Sequence, residues 1–200
     1  GKRVEGEFGG NIRMTLTVQV FPIMAGVATD EQIIKINEAI QQHLFDEQVG
    51  GVRLNTDFKE IQMALGRAFG FAYGHKENGA MFSHMAMMYA YALYHRGYAR
   101  EGYSILESIY QHCQNFQVSK MYPGIPEYIG PDGRGYYFYL TGSASWYLFT
   151  MITQVFGIRG EYGDLVLNPK LMPEQFDADG KASIRYHFAG RELEIEYINP

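Results

Sequence analysis

Two short polar segments carry side chains that could bind an anion and a ligand rich in hydroxyl groups. In the first, Thr141 and Gly142 precede an apolar pattern that predicts a helix over 142–156. Threonine is a preferred N-cap residue, and glycine lets another group approach the backbone closely. Because the first amides of a helix have no partner within it, this helix start predicts an anion site.

The second segment is the run Lys76-Glu77-Asn78-Gly79, which is followed by His84. An ammonium group, a carboxylate and an amide in succession could hold several hydroxyl groups at once. The same residues could instead cap the next helix, with Asn78 as the N-cap and Glu77 near the positive helix end. His84 could be a hydrogen-bonded core residue or a donor to an anion held by the first segment. The residue types alone leave these alternatives open.

Other kinds of site are not indicated by the sequence. His75 and His84 lie too far apart for a helical metal pair, and no cluster has zinc or calcium spacing, so we predict no metal. The glycine-rich turn at 130–135 lacks the Lys-Ser/Thr of a phosphate-binding loop. Ser143 and Ser145 lack the Gly-x-Ser-x-Gly pattern of a hydrolase nucleophile.

Hydrophobic periodicity predicts the elements that must position these residues. Helices are expected at about 33–44, 81–96, 99–114 and 142–156. A possible capping box, Thr29 with Gln32, precedes the first of them. After Gly157 the period changes to two, which predicts a short strand at 165–167 and a β-hairpin over 182–197.

Between these elements the sequence is less decisive. Residues 1–13 are expected to be irregular, and 14–25 are too uniformly apolar to distinguish strand from helix. Residues 46–80 and 116–140 are interpreted mainly as loops, the first with a short helix near 58–68. Long loops in a compact domain are usually functional.

Composition narrows the class of protein. The chain has 200 residues, 46% hydrophobic and 20% charged, which is typical of a globular fold. A net charge of -5 argues against a nucleic-acid surface, and we see neither a signal peptide nor a transmembrane run. The single cysteine, Cys113, is predicted to be a buried thiol. Sixteen tyrosines and thirteen phenylalanines suit either a sugar-binding cleft or a tyrosine-rich core.

Several motifs together resemble glycoside hydrolase family 94, whose members are inverting sugar phosphorylases. The resemblance rests on the Lys-Glu-Asn-Gly run and His84 within 74–84, on 139–146, and on a closing pattern over 156–190. Within the family, 52–58 and 122–128 look most like the cellodextrin phosphorylase branch. The resemblance extends over about 14–200.

The resemblance implies a fold that is mainly α with a β C-terminal module. Residues 1–160 would be the later part of an (α/α)6 catalytic barrel, and 161–200 a small antiparallel β-domain. Because fewer than twelve barrel helices are readable, the chain is expected to be the C-terminal part of a longer enzyme. Family members are typically cytoplasmic homodimers.

The resemblance also implies roles for particular residues. The residues that match the family's phosphate site are His84, Thr141 and Gly142. Those that match its sugar contacts are Lys76 and Glu77, and Glu127 lies in a loop where relatives present a phosphate or sugar contact. The family's general acid is an aspartate expected upstream of this chain. It has no match here, and Asp57 is not assigned to that role.

The implied reaction is phosphorolysis of a β-glucan oligosaccharide, which releases α-glucose 1-phosphate with inversion. Inorganic phosphate is the co-substrate, no cofactor is needed, and the partner is the upstream part of the same enzyme. Two other functions remain open. The chain could belong to a phosphorylase of another linkage or a barrel hydrolase, or it could be a non-catalytic carbohydrate-binding or structural module.

Overall fold

The computed structural model describes residues 3–122, 124–138 and 142–199. Two compact units divide the chain, residues 1–148 and 149–200. The described α-helices are α1 (Leu16–Met24), α2 (Asp30–His43), α3 (Ser83–His95), α4 (Ala99–Gln114), α5 (Phe116–Ser119) and α6 (Gly142–Thr150). A π-helical turn, Met151–Val155, continues α6.

All described strands belong to small antiparallel sheets. The strands of the first unit are β1 (Gly6–Phe8), β2 (Asn11–Arg13), β3 (Phe45–Asp46), β4 (Gly51–Val52), β5 (Met81–Phe82), β6 (Tyr128–Ile129) and β7 (Gly135–Tyr136). Those of the second are β8 (Ile158–Glu161), β9 (Asp164–Leu167), β10 (Lys181–Phe188) and β11 (Arg191–Ile198). Six helices with small antiparallel sheets fit part of the predicted fold. The (α/α)6 barrel and the division into residues 1–160 and 161–200 stay predictions.

The predicted start of α2 is confirmed in atomic detail. The Thr29 hydroxyl accepts a bond from the Gln32 amide at 3.3 Å, and the Gln32 side chain accepts one from the Thr29 amide at 2.9 Å. This reciprocal pair satisfies two amides that the helix leaves unpaired. Ile33 and Ile40 on the inner face are fully buried.

The core of the first unit is built around α3, which packs against α1 and α4. Its buried residues include Met87, Tyr89, Leu93 and Tyr94, in agreement with a helix that is apolar nearly all round. A Cβ at Gly102 of α4 would lie 2.5 Å from the Tyr94 ring, so glycine permits this close helix contact.

The N-terminal stretch differs from its prediction. Residues 6–13, expected to be irregular, form the β1–β2 hairpin, because Gly9 and Gly10 supply the two positive φ angles of a tight turn. The Arg13 guanidinium also lies 4.2 Å from the Phe8 ring centroid. The undecided apolar stretch that follows is helical and forms α1.

The two long loops contain more structure than their composition suggests. The short helix expected near 58–68 is replaced by two 3₁₀ turns, Met63–Leu65 and Arg67–Gly70. The second loop contributes β6 and β7, which complete a three-stranded sheet in the order β5-β6-β7. This sheet joins the segment before α3 to residues nearly fifty positions further along the chain.

The second unit contains two β-hairpins. The predicted hairpin is confirmed as β10–β11, paired from Lys181 with Ile198 to Phe188 with Arg191. The predicted strand at 165–167 lies in β9, and its partner β8 was not predicted. Among the described helices, none combines the length and apolar character needed to span a membrane.

Candidate functional site

The small sheet β5-β6-β7 fixes Glu127 beside the start of α3. The Glu127 carbonyl accepts a bond from the Ser83 amide at 2.9 Å, and its own amide donates to the carbonyls of Tyr136 and Tyr137 at 3.0 Å each. The backbone of Glu127 is therefore held from both sides, and His84 follows Ser83 directly. A carboxylate and an imidazole are brought into one region by strand pairing alone.

Lys76 lies against this fixed carboxylate. Its Nζ is 3.3 Å from Glu127 Oε1 and 3.4 Å from the centroid of the Tyr137 ring. Burial alone would lower the pKa of Lys76, but Glu127 and Tyr137 raise it above the usual value. The ammonium group therefore stays charged at neutral pH and can donate to ligand oxygens.

Glu77 faces a different environment from its neighbour. Its Oε1 lies 3.1 Å from Arg67 Nη2. Oε2 is buried and has no hydrogen-bond partner among the described residues. The side chain lines a cavity of about 450 Å³ whose other walls include Phe82 and Met85. A buried oxygen without a donor is costly, so this carboxylate is suited to accept a bond from a ligand hydroxyl.

His84 lies directly against the start of α6. A Cβ on Gly142 would be 2.6 Å from His84 Cε1 and 2.8 Å from Nδ1, so only glycine leaves room for the ring. The ring is half-buried, and burial lowers its pKa, while the nearby Glu127 charge partly offsets the shift. His84 is therefore mainly neutral at pH 7 and carries one N–H donor.

A further bond ties the start of α6 to the segment that carries Glu127. The buried Ser143 hydroxyl donates to the Pro126 carbonyl at 2.8 Å. The predicted neighbours His84 and Gly142 thus share one region with Lys76 and Glu127. Thr141 lies outside the described residues, as do Tyr139 and Leu140 of the same motif.

One of the open interpretations is wrong. Asn78 does not cap the following helix, whose N-cap position is Phe82. Its side-chain amide instead donates to the Phe71 carbonyl at 2.7 Å, and its Oδ1 accepts from Asn55 at 3.1 Å. The Asn78 side chain therefore bonds to residues outside the following helix, and it does not follow the local rule that places asparagine at a helix N-cap.

Sequence reasoning missed several residues of this region. Tyr137 covers Lys76, Arg67 pairs with Glu77, and Asn55 contacts the turn that carries both. Tyr137 could have been noticed as one of the tyrosines just before Thr141. Asn55 lies within 52–58, which stands out in the sequence only for its similarity to the cellodextrin phosphorylase branch, and no spacing rule links it to Asn78.

The described residues contain no group of three or more His, Cys, Asp or Glu that could hold a metal ion. The side chains that do converge are an ammonium group, the Glu127 carboxylate, a neutral imidazole and aromatic rings beside a helix N-terminus. Such a set can bind an oxyanion through amides and an imidazole, and sugar hydroxyls through charged groups and ring faces.

Comparison with known proteins places the chain in a family. Residues 4–157 match the family model described as the glycosyl hydrolase 94 superfamily, catalytic domain. At 25% identity the chain is similar to cellobionic acid phosphorylase of Neurospora crassa, over 80% of this chain and 22% of the relative. It is also similar at 25% to the N,N'-diacetylchitobiose phosphorylase of Vibrio proteolyticus, over 78% of this chain and 20% of the relative.

A third relative, the solabiose phosphorylase of Paenibacillus borealis, is 25% identical over 81% of this chain and 22% of its own length. The chain thus spans about a fifth of the length of these curated relatives. The resemblance inferred from the Lys-Glu-Asn-Gly and Thr-Gly motifs is confirmed at the level of the family, while the cellodextrin branch stays a prediction. The chain belongs to the glycosyl hydrolase 94 superfamily, through that superfamily's catalytic domain.

Proposed function

We propose that this chain forms the phosphate-binding and sugar-binding part of an inverting phosphorylase that acts on a β-glucan. The proposal rests mainly on one observation, the His84 ring packed against Gly142 at the start of α6. Family membership and three relatives that are each named as phosphorylases support the same reaction class. The remaining site residues are assigned around this pair.

Phosphate is proposed to bind at His84, Thr141 and Gly142. The nine-residue helix α6 offers the amides of its first turn and the positive end of its dipole to an anion. A neutral His84 adds a hydrogen bond without binding a proton first, because burial has already lowered its pKa. Phosphate is itself anionic, so its attack requires hydrogen-bond donors that stabilise its charge more than it requires a general base.

The terminal sugar is proposed to bind at Lys76, Glu77 and Glu127. Lys76 can donate to ring hydroxyls, while the unpartnered Oε2 of Glu77 can accept from one. The Glu127 carboxylate holds Lys76 in place and remains one-third exposed, so it is open to a ligand. Tyr137, which is half exposed beside Lys76, offers a ring face to the sugar.

In the proposed reaction, a phosphate oxygen forms a bond to the anomeric carbon from the face opposite the glycosidic oxygen. The glycosidic bond breaks, and a carboxylic acid gives its proton to the departing oxygen. The products are α-glucose 1-phosphate and a glucan shorter by one residue. The acid is assigned to an aspartate upstream of this chain. We also propose that the complete enzyme is a cytoplasmic homodimer whose catalytic domain is an (α/α)6 barrel.

The test uses the complete polypeptide with cello-oligosaccharides as substrates. We expect sugar release only when inorganic phosphate is present, and phosphorus NMR should identify the product as the α-anomer of glucose 1-phosphate. His84→Ala and Thr141→Ala should each raise the KM for phosphate by about tenfold or more. His187→Ala, at an exposed position of β10, is the matched control and should leave that KM unchanged.

Four outcomes would contradict all or part of the proposal. Release of free glucose without phosphate would favour a barrel hydrolase. Glucan binding without turnover would favour a carbohydrate-binding module. Turnover only of a sugar with a different linkage would keep the phosphorylase class but reject cello-oligosaccharides as the substrate. A phosphate KM that does not change in the His84 and Thr141 variants would reject the assigned phosphate site.

A further inference from the structure

We propose that Asn55 is a positioning residue for the turn that carries Lys76 and Glu77, so that it controls sugar affinity through the placement of these two side chains. The proposal rests on the sugar-binding role proposed above for these two side chains. Asn55 belongs to the stretch 52–58, and together with Leu54 and Phe58 it also lines the cavity beside Glu77.

Both polar atoms of the Asn55 side-chain amide form hydrogen bonds with this turn. Its Oδ1 accepts a bond from the Gly79 amide at 2.8 Å, and its Nδ2 donates to Asn78 Oδ1 at 3.1 Å. The Nδ2 group also donates to the Thr56 carbonyl at 2.9 Å. Asn55 is 3% exposed and Asn78 is 8% exposed, so water is poorly placed to replace these bonds.

The backbone of this turn is strained, so contacts from other parts of the chain are needed to keep it in place. Lys76 has a φ of +52°, in the left-handed region that costs a long side chain conformational energy. The turn is closed by the Asn78 amide bonding to the His75 carbonyl at 3.0 Å and the Gly74 amide bonding to the Asn78 carbonyl at 2.7 Å. Two short backbone bonds set its shape but not its place in the molecule.

A second residue of the same stretch holds the far end of the turn. Arg53 Nη1 donates to the Gly79 carbonyl at 2.7 Å, while the rest of its guanidinium pairs with Asp46. The Tyr73 ring packs so closely on Gly79 that a Cβ there would lie 2.1 Å from it. Gly79 is thus held at its amide by Asn55, at its carbonyl by Arg53 and at its Cα by Tyr73.

These contacts connect Asn55 to the sugar-binding half of the proposed site. They reach Lys76 and Glu77 through Asn78 and Gly79. His84, by contrast, is carried by α3 and lies against Gly142 of α6, and no contact of Asn55 extends to either residue. Loss of the Asn55 amide should therefore weaken sugar binding and leave phosphate binding as it is.

The experiment measures both Michaelis constants in the complete enzyme. Asn55→Asp keeps the shape and the acceptor oxygen but loses the Nδ2 donor and places a carboxylate against Asn78 Oδ1. We expect the KM for the glucan to rise about tenfold, with the KM for phosphate within about twofold of the parent value. Asn11→Ala is the matched control, because Asn11 donates to the Asp57 carbonyl in the same stretch without contacting the turn.

A pH series adds a readout that loss of folded enzyme would not produce. A protonated carboxyl at position 55 can again donate to Asn78, and burial should raise the pKa of the introduced Asp. We expect the glucan kcat/KM of Asn55→Asp, divided by that of the parent enzyme, to rise as the pH falls from about 7 to about 5.

The outcomes separate this inference from the proposed function. If Lys76→Ala leaves the glucan KM unchanged, the proposed sugar site is rejected. If Lys76→Ala raises that KM while Asn55→Asp does not, the positioning role alone is rejected. A lower kcat with both KM values unchanged, or an equal rise in both KM values, would also overturn it.

Discussion

The contact between His84 and Gly142 leads to a prediction at the scale of single residues. Gly142→Ala would place a methyl group 2.6 Å from the ring, so the ring must move away from the start of α6. We expect the KM for phosphate in the complete enzyme to rise about tenfold, because the imidazole no longer reaches the same anion. Thermal stability should not fall, since alanine is a better helix former than glycine and the ring can rotate.

The control for that substitution is Gly70→Ala. A Cβ at Gly70 would meet no atom within 4 Å, and Gly70 has no positive φ. Its variant should keep the parent KM for phosphate. An unchanged phosphate KM in Gly142→Ala would show that the position of the His84 ring does not matter for phosphate binding.

The protonation of His84 gives a second prediction at this scale. Burial lowers its pKa below the usual 6.5, and the Glu127 charge moves it partly back. In Glu127→Gln the pKa of His84 should therefore fall further. Histidine ring NMR across a pH titration measures both values. A His84 pKa that rises in this variant would contradict the assigned role of the Glu127 charge.

The same shift has a consequence for stability. Since the folded pKa lies below the unfolded one, the unfolded chain binds more protons as the pH drops below about 6.5. His84 therefore lowers the free energy of unfolding as the pH falls from about 6.5 through the folded pKa, and adds no further loss below it. Urea unfolding of the parent and of His84→Asn at several pH values should show a shallower decline in the variant.

At the scale of elements, the β10–β11 hairpin offers a direct test of turn chemistry. Ala189 and Gly190 have φ angles of +48° and +77°, a pair typical of a type I′ turn. Alanine is a poor residue at the first position, where asparagine is preferred. Ala189→Asn should raise the free energy of unfolding by about 0.5 kcal/mol, and Gly190→Ala should lower it by about 1 kcal/mol. Equilibrium unfolding in urea measures both, and a loss of stability in Ala189→Asn would argue against this turn.

Elements governed by local rules could be predicted from the sequence. The capping box at Thr29, the glycine at the end of α3 and the alternation in β10–β11 each depend on residues a few positions apart. The hairpin at 6–13 was missed although Gly9-Gly10 is a turn signal, because only three residues flank it on each side. Short strands carry too little periodicity to be recognised.

The candidate site shows more clearly that contacts between residues distant in the sequence cannot be predicted from local patterns. Its Lys-Glu-Asn-Gly and Thr-Gly motifs were recognisable as types of residue, and the pairing of His84 with Gly142 followed from the expected anion site. The contact of Lys76 with Glu127 joins residues 51 positions apart through strand pairing that no local pattern reveals. The Asn55–Asn78 contact is equally non-local, and a local rule gave the wrong partner for Asn78.

At the scale of the whole molecule, the site depends on the integrity of the first unit. Its side chains come from four separate stretches, which are 53–55, 67–84, 126–137 and 142–143. They meet only because α3, the small sheet and the start of α6 are held together. A probe of opening in this unit is therefore a probe of the site, and the chain contains one in its single cysteine.

Cys113 is 8% exposed in α4, and burial raises the pKa of its thiol to about 11. At pH 8 only about one thiol in a thousand would be ionised in the folded unit, so labelling by a thiol reagent should require opening. We expect the labelling rate to rise with urea in parallel with the loss of helical circular dichroism. Fast labelling in native buffer, close to that of the unfolded chain, would contradict a buried thiol.

A core substitution makes this last test quantitative. Leu93 of α3 is fully buried, and Leu93→Ala should cost about 3 kcal/mol through lost burial and the cavity left behind. If labelling follows the population of the opened unit, its rate in native buffer should increase about 100-fold. Ile34→Ala, at a position 49% exposed on α2, is the matched control and should change the rate less than about threefold. An unchanged labelling rate in Leu93→Ala would mean that Cys113 is reached by local fraying of α4, not by opening of the core that positions His84.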